Sequence, residues 1–277
     1  MLDAFALDVI EDSWRQAYHL CPPWGLMNDP NGLIFWRGAY HVFYQWNPYG
    51  CAHENKHWAH ARSTDLIHWE LLPPALAPDA PYDEDGCYSG CAVESDGDLF
   101  LLYSGNVRSP DGGRASYQCL ARSHDGVGFD KLGPVINGAL PGYTGHFRDP
   151  KAWRHGDHWY AVLGAQRTDL TGTVLLLKSP DLREWHALGE LIAPAQPCYM
   201  YECPDLFTLD RRTVLLCCQQ TWRRLPMEPA AGTWLATCSA GSTWSARSSR
   251  TMGFAGSTRA STSTRPRRCS ALTGAAC

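Results

Sequence analysis

Three short acidic motifs stand out: Met27-Asn28-Asp29-Pro30-Asn31-Gly32, Phe147-Arg148-Asp149-Pro150-Lys151 and Tyr201-Glu202-Cys203-Pro204-Asp205. Each carries one carboxylate at a comparable place, namely Asp29, Asp149 and Glu202. Cleavage of a glycosidic bond needs such groups: one carboxylate to attack the sugar or activate water, and one carboxylic acid to protonate the leaving oxygen. Asp29 lies in Asn-Asp-Pro-Asn-Gly, which reads as a rigid turn able to pin a nucleophile. Asp149 follows Arg148, whose charge is expected to lower the carboxyl pKa and keep it ionised. Glu202 sits among Tyr201, Cys203 and Pro204, a less polar setting expected to move its pKa toward the range of a general acid. Singly, each motif is also ordinary turn chemistry. Together, in register with a repeat, they point to an enzyme acting on sugars.

The repeat supplies the scaffold. Ala61-Arg62-Ser63-Thr64-Asp65 recurs as Ala121-Arg122-Ser123-His124-Asp125 and as Leu177-Lys178-Ser179-Pro180-Asp181, each followed by an aromatic residue: Trp69, Phe129 or Trp185. Self-similarity at a spacing of about 58 residues suggests a solenoid or propeller. Ala39–Gln45, Leu99–Ser104, His158–Leu163, Val174–Lys178 and Val214–Cys218 are short, apolar or alternating, and bounded by turn residues, so they read as strands. No long segment holds a helical period. The expected fold is all-β, with four-stranded blades around a channel. In the middle unit the place of the carboxylate falls near Ser89-Gly90.

Composition narrows the function classes. A net charge of −4 argues against nucleic acid or an anionic membrane surface as partner. No apolar run reaches the length of a membrane span. The N-terminus lacks the basic and apolar regions of a secretory signal, so a cytoplasmic location is expected. Twelve cysteines show no Cys-x-x-Cys pair or zinc spacing, so they are expected to be reduced, small hydrophobes, with no metal. The many Trp and Tyr side chains are expected mostly to fill blade interfaces.

The longer runs around these motifs carry a resemblance. Pro23-Trp24-Gly25-Leu26 leads into the first motif, then come Tyr40-His41-Val42-Phe43-Tyr44-Gln45-Trp46-Asn47-Pro48, His57-Trp58-Ala59-His60, Tyr88-Ser89-Gly90, His146-Phe147-Arg148-Asp149 and Glu202-Cys203-Pro204-Asp205. Over about residues 18–222 the chain resembles glycoside hydrolase family 32, the invertase and sucrose-6-phosphate hydrolase family. The resemblance implies a five-bladed β-propeller, usually followed by a β-sandwich, and a retaining mechanism without cofactor. It implies Asp29 as nucleophile, Glu202 as acid/base and Asp149 as transition-state stabiliser. It further implies Asn28, Gln45, Ser89 and Arg148 as fructose-binding residues, with Trp58 and Cys203 shaping the pocket. The implied partner is a small sugar: sucrose, sucrose 6-phosphate or a short fructan. A fructan exo-hydrolase, or an inactive sugar-binding fragment, is the alternative. Leu26 and Ala59 depart from the family's usual Trp and Gly. His53 and Lys56 offer positive charge for a sugar phosphate.

Beyond Glu228 the chain has no acidic residue as far as Cys277. Re-read in a shifted frame, with third bases chosen freely, the segment from Thr237 regains acids and alternation, and the stretch from Gly256 yields a Gly-Phe-Asp-Phe-Tyr-Ala-Pro run. Residues 1–228 are therefore expected to form the N-terminal part of the propeller, about three and a half blades. Residues 229–277 are expected to be a frameshifted, non-native or disordered tail, with the β-sandwich missing.

Overall fold

A computed structural model describes residues 13–16, 18–109, 112–192 and 198–220, and the backbone of 231–239. All of its regular elements are strands. The first sheet pairs β1 (Leu26–Trp36), β2 (Ala39–Asn47), β3 (His57–Ser63) and β4 (Glu70–Leu76) in chain order. The second pairs β5 (Cys87–Ser95), β6 (Asp98–Arg108), β7 (Arg114–Ser123) and β8 (Asp130–Ile136). The third pairs β9 (Tyr143–His155), β10 (His158–Arg167), β11 (Gly172–Ser179) and β12 (His186–Glu190). The fourth pairs β13 (Met200–Leu209), β14 (Arg212–Gln220) and β15 (Ala231–Ser239). Every pairing is antiparallel between chain neighbours. The first strand of each sheet touches the first strand of the next, β1 on β5, β5 on β9 and β9 on β13.

This is a β-propeller, with three four-stranded blades and a three-stranded fourth among the described residues. Part of the expected tail, Ala231–Ser239, forms β15 against β14; the remainder lies outside the described residues.

The core sits between blades, and strand periodicity puts it there. Successive residues of a strand face opposite sides. Thus Leu101 and Tyr103 of β6 pack with Phe43 and Trp58 of the first blade, while Leu102 packs with Phe147 and Leu163 of the third. Likewise Val174 and Leu176 of β11 join Tyr201 and Leu215 of the fourth blade, whereas Leu175 and Leu177 face the second. The inner stretches of β6 and β11 are apolar on both sides because both sides are buried, at a gain of about 2 kcal/mol for each fully buried leucine. A buried carboxylate locks the link between the first two blades. Asp83 is wholly buried and accepts hydrogen bonds from Tyr103 Oη (2.8 Å) and Lys131 Nζ (2.7 Å).

The sequence repeat is a real turn. Ser63, Ser123 and Ser179 end the third strand of their blades. Each following aspartate accepts two backbone N–H groups: Asp65 from Ile67 and His68, Asp125 from Val127 and Gly128, Asp181 from Arg183 and Glu184. The residue after each aspartate is left-handed, with φ of 65° at Leu66, 75° at Gly126 and 68° at Leu182. At Gly126 alone there is no room for a side chain, because a Cβ would lie 2.6 Å from the Trp36 ring of the first blade. Gly126→Ala should therefore cost about 1–3 kcal/mol in urea unfolding, and Leu66→Gly much less. Equal costs would refute this account of the turn.

Candidate functional site

In every blade the pairing between the innermost strand and the next slips at an equivalent place, and the first and third blades each slip once more elsewhere. The register slips between Asn28 and Pro30 in β1 and between Tyr88 and Gly90 in β5. It slips across Asp149 and Pro150 in β9, and between Glu202 and Asp205 in β13. A bulge frees a residue from the ladder and re-aims its side chain. Proline fits there because no ladder N–H is required of it. Asp29 accordingly lies in a bulge inside a long strand and not in the turn that its sequence suggests. Asp149 and Cys203 take left-handed backbones, φ 67° and 47°.

Equivalence follows from the bulges. Asp29, Ser89, Asp149 and Cys203 are the freed residues of the four blades. Glu202 sits one position earlier, where the third blade has Arg148. The three carboxylates are therefore not in one register, as their motifs suggest. Residues after these positions, among them Gly32, Gly90, Lys151 and Asp205, bound one cavity of about 140 Å³ that all four inner strands share.

Asp29 is held by a chain of hydrogen bonds with a fixed direction. Lys56 is wholly buried and its ammonium bonds Asn28 Oδ1. An ammonium only donates. Asn28 must therefore turn its Nδ2 to Gln45 Oε1 (2.9 Å), and Gln45 must turn its Nε2 to Ser89 Oγ (2.8 Å) and Asp29 Oδ2 (3.3 Å). Ser89 Oγ completes the set by donating to Asp29 Oδ2 at 2.9 Å. Burial lowers the Lys56 pKa from the ordinary lysine value, and the Asp29 charge pulls it back up. Lys56 thus spends its charge inside the site, and its expected use on an outer phosphate is overturned by burial.

The other two carboxylates share a guanidinium. Arg148, nearly buried, donates from Nη2 to Glu202 Oε1 at 2.7 Å, and its Nε lies 3.8 Å from Asp149 Oδ2. Gln220 Nε2 donates to Glu202 Oε2 at 2.7 Å. The backbone N–H of Cys203 donates to Asp149 Oδ2 at 3.0 Å. Second-blade side chains hold this backbone: Asp149 N donates to Ser104 Oγ (2.9 Å), Ser104 Oγ to Gln118 Oε1 (2.8 Å), and Gln118 Nε2 to Phe147 O (2.8 Å). Desolvation pushes the Asp149 carboxyl up to about 6 despite Arg148 and the Cys203 N–H, and the charges of Glu202 and Asp29 add to the rise. The sequence expectation for Asp149 was the reverse, because Arg148 is visible in the sequence and burial is not. The mutual influence also shows that the three carboxylates converge.

Two further side chains flank this group. Burial, then Arg148 and Arg114, pushes His146 down to about 4, so it is neutral. Arg148 Nη1 donates to His146 Nδ1 (3.1 Å), which leaves Nε2–H to donate to Tyr199 Oη (2.8 Å). His146, Tyr199, Ser104, Gln118 and Gln220 were not singled out from the sequence. The available signal was polar residues, such as Ser104 and Gln118, inside apolar strands. Trp58 is the converse case. It is fully buried in the first interface, so it cannot touch a sugar; its Nε1 donates to Tyr88 O at 3.1 Å and so fixes the strand that carries Ser89. Among the described residues no three His, Cys, Asp or Glu side chains form a metal-binding group, and no helix is long and apolar enough to cross a membrane.

Residues 19–261 match the model of the glycosyl hydrolases family 32 N-terminal domain. The chain belongs to glycoside hydrolase family 32. A sucrose-6-phosphate hydrolase of Salmonella typhimurium is 51% identical over 217 residues, 76% of this chain and 46% of that protein. Among solved family 32 structures, a sucrose-6-phosphate hydrolase from Lactobacillus gasseri superposes with a TM-score of 0.78 at 34% identity, over 85% of this chain and 49% of that one. A Bombyx mori β-fructofuranosidase variant in complex with sucrose gives 0.77 at 36% identity, over 87% and 52%. The chain thus spans about half the length of these family 32 relatives.

Asp149 gives a pH test. Its folded pKa of about 6 lies above the ordinary 3.8. Its contribution to stability is therefore fully present below pH ~4 and lost as pH rises through about 6, a loss of roughly 3 kcal/mol by pH 7. Asp149→Asn removes this titration, so the stability of the variant relative to the parent should rise between pH 4 and 7. Parallel pH profiles in chemical denaturation would exclude this assignment.

Proposed function

We propose that the chain is a retaining β-fructofuranosidase that hydrolyses sucrose or sucrose 6-phosphate. The observation that carries this reading is the convergence of three carboxylates in unlike settings. Asp29 faces solvent and is held by Ser89 and Gln45. Glu202 is half-buried between Arg148 and Gln220. Asp149 is buried and immobilised by backbone and guanidinium. The printed activities of the family 32 relatives support the same substrate class.

In the proposed reaction, Asp29 attacks the anomeric carbon of the fructosyl unit. The Ser89 and Gln45 donors occupy Oδ2, which leaves Oδ1 for attack. Glu202 gives its proton to the departing glycosidic oxygen. It then takes a proton from water, which displaces Asp29 and releases fructose. Asp149 is ionised near neutral pH and accepts hydrogen bonds from fructose hydroxyls while positive charge develops at the anomeric carbon. Asn28, Gln45 and Arg148 offer further polar contacts to the same ring. Cys203 presents its N–H to Asp149, so it serves the stabiliser more directly than the acid.

Glu202→Gln should lower fructose release from sucrose by about 10²–10⁴-fold while leaving the far-ultraviolet spectrum unchanged. Undiminished release would remove Glu202 from the chemistry. Lys56→Met should keep the fold, because a buried ammonium is costly to desolvate. Its kcat should nevertheless fall about tenfold or more, since the Asn28 and Gln45 amides lose the donor that fixes their orientation. An unaltered kcat would show that Asp29 does not depend on that chain.

A further inference from the structure

A second, larger cleft of about 520 Å³ adjoins the acid/base side of the site. That is within the range of small-molecule pockets, about 300–1,000 Å³. Arg108, Arg114, Thr144, His146 and Gln166 line it, together with the glycines before Arg114 and the ring of Tyr199. His146 joins it to the reacting groups through Arg148, which binds Glu202.

The charges here are unusual for a chain of net charge −4. Arg108 and Arg114 are directly opposite each other, the last pair of the β6–β7 ladder. Facing residues in an antiparallel pair project to the same side, and like charges there are unfavourable. Among the described residues no carboxylate forms an ion pair with either guanidinium. Asp85 binds the backbone N–H of Arg108. Among the described residues no acidic side chain lines the cleft. Arg114 is nevertheless firmly placed. Its guanidinium lies 5.3 Å from the Tyr88 ring centroid, a cation–π contact. Its carbonyl is pressed against Gly145 of β9, where a Cβ would stand 1.8 Å from the oxygen. Two guanidinium forks carried on facing ladder residues suit a phosphate, which accepts paired N–H donors.

We propose that this cleft seats the leaving aldose and that Arg114 and Arg108 receive a phosphate carried on it. The proposal rests on the fructosidase reading, in which the aldose departs from the Glu202 side. It moves phosphate recognition from Lys56, which is buried, to the β6–β7 hairpin.

Calorimetric titration of the full chain with glucose 6-phosphate, glucose and inorganic phosphate tests it. Glucose 6-phosphate should bind about tenfold or more tightly than glucose, the worth of one charge-assisted hydrogen bond, and more tightly than inorganic phosphate. Arg114→Gln and the exposed Arg108→Gln should each shrink that preference, Arg114→Gln more. Equal or absent binding of the two sugars, a preference that survives both substitutions, or inorganic phosphate binding as well as the sugar phosphate would overturn the proposal. Fructose release from sucrose, measured on the same preparations, separates the two readings. Release without a phosphate preference removes this subsite alone; an arginine-dependent preference without release removes the fructosidase reading and leaves an aldose phosphate site.

Discussion

An innermost propeller strand has two incompatible duties: to pair along its whole length with the next strand, and to turn a side chain toward the shared axis. The bulge resolves the conflict at the same place in every blade. One residue leaves the ladder, its successor is Pro or Gly, and the backbone is left-handed at Asp149 and Cys203. The site is the set of these interruptions. Asp29, Ser89 and Asp149 are their products, Cys203 is the fourth, and Glu202 enters from the position before. Had the four inner strands paired without a break, the same residues would alternate regularly up and down and would not meet.

The electrostatics follow from how deeply each interruption lies. Asp149 is nearly sealed off, and burial outweighs the adjacent arginine in setting its proton affinity. Arg148 cannot satisfy Asp149 fully because its shorter contact goes to Glu202. One guanidinium between two carboxylates leaves the group short of positive charge. The Lys56 ammonium makes the corresponding investment on the Asp29 side through two amides. Both cations are buried, so neither contributes to attracting a ligand from solution.

Much of the fold was legible because its signals are local. The alternation in Ala39–Gln45, the apolar runs of β6 and β11, and the Ser-x-Asp turns all depend on neighbours in sequence, and each appears as a strand or turn. The carboxylates were legible through their motifs. The balance acting on Asp149 was not, since Arg148 is adjacent in sequence while the burial comes from other blades. Lys56 misled for the same reason: a lysine in a polar stretch reads as solvent-facing, and nothing nearby announces that its ammonium will be buried against Asn28. Trp58, which the resemblance implies as a pocket-shaping residue, is buried in an interface with Phe43 and Tyr103. The one-residue offset of Glu202 was hidden because sequence spacing does not record where a ladder slips.

The bonds that define the pocket have another property in common. Strand pairing within each blade joins chain neighbours, whereas Ser89 reaches Asp29 across 60 residues, and Arg148 reaches Glu202 across 54. A blade can form by zipping successive hairpins, with little loop entropy to overcome. The pocket has no such local route and comes into being only when finished blades dock. In folding time it is the last part of the molecule to appear. By the same token it is the first to be lost when a blade swings away from its neighbour, before any sheet melts. The integrity of this pocket is therefore a more sensitive gauge of how the blades sit on one another than the strand content of the chain.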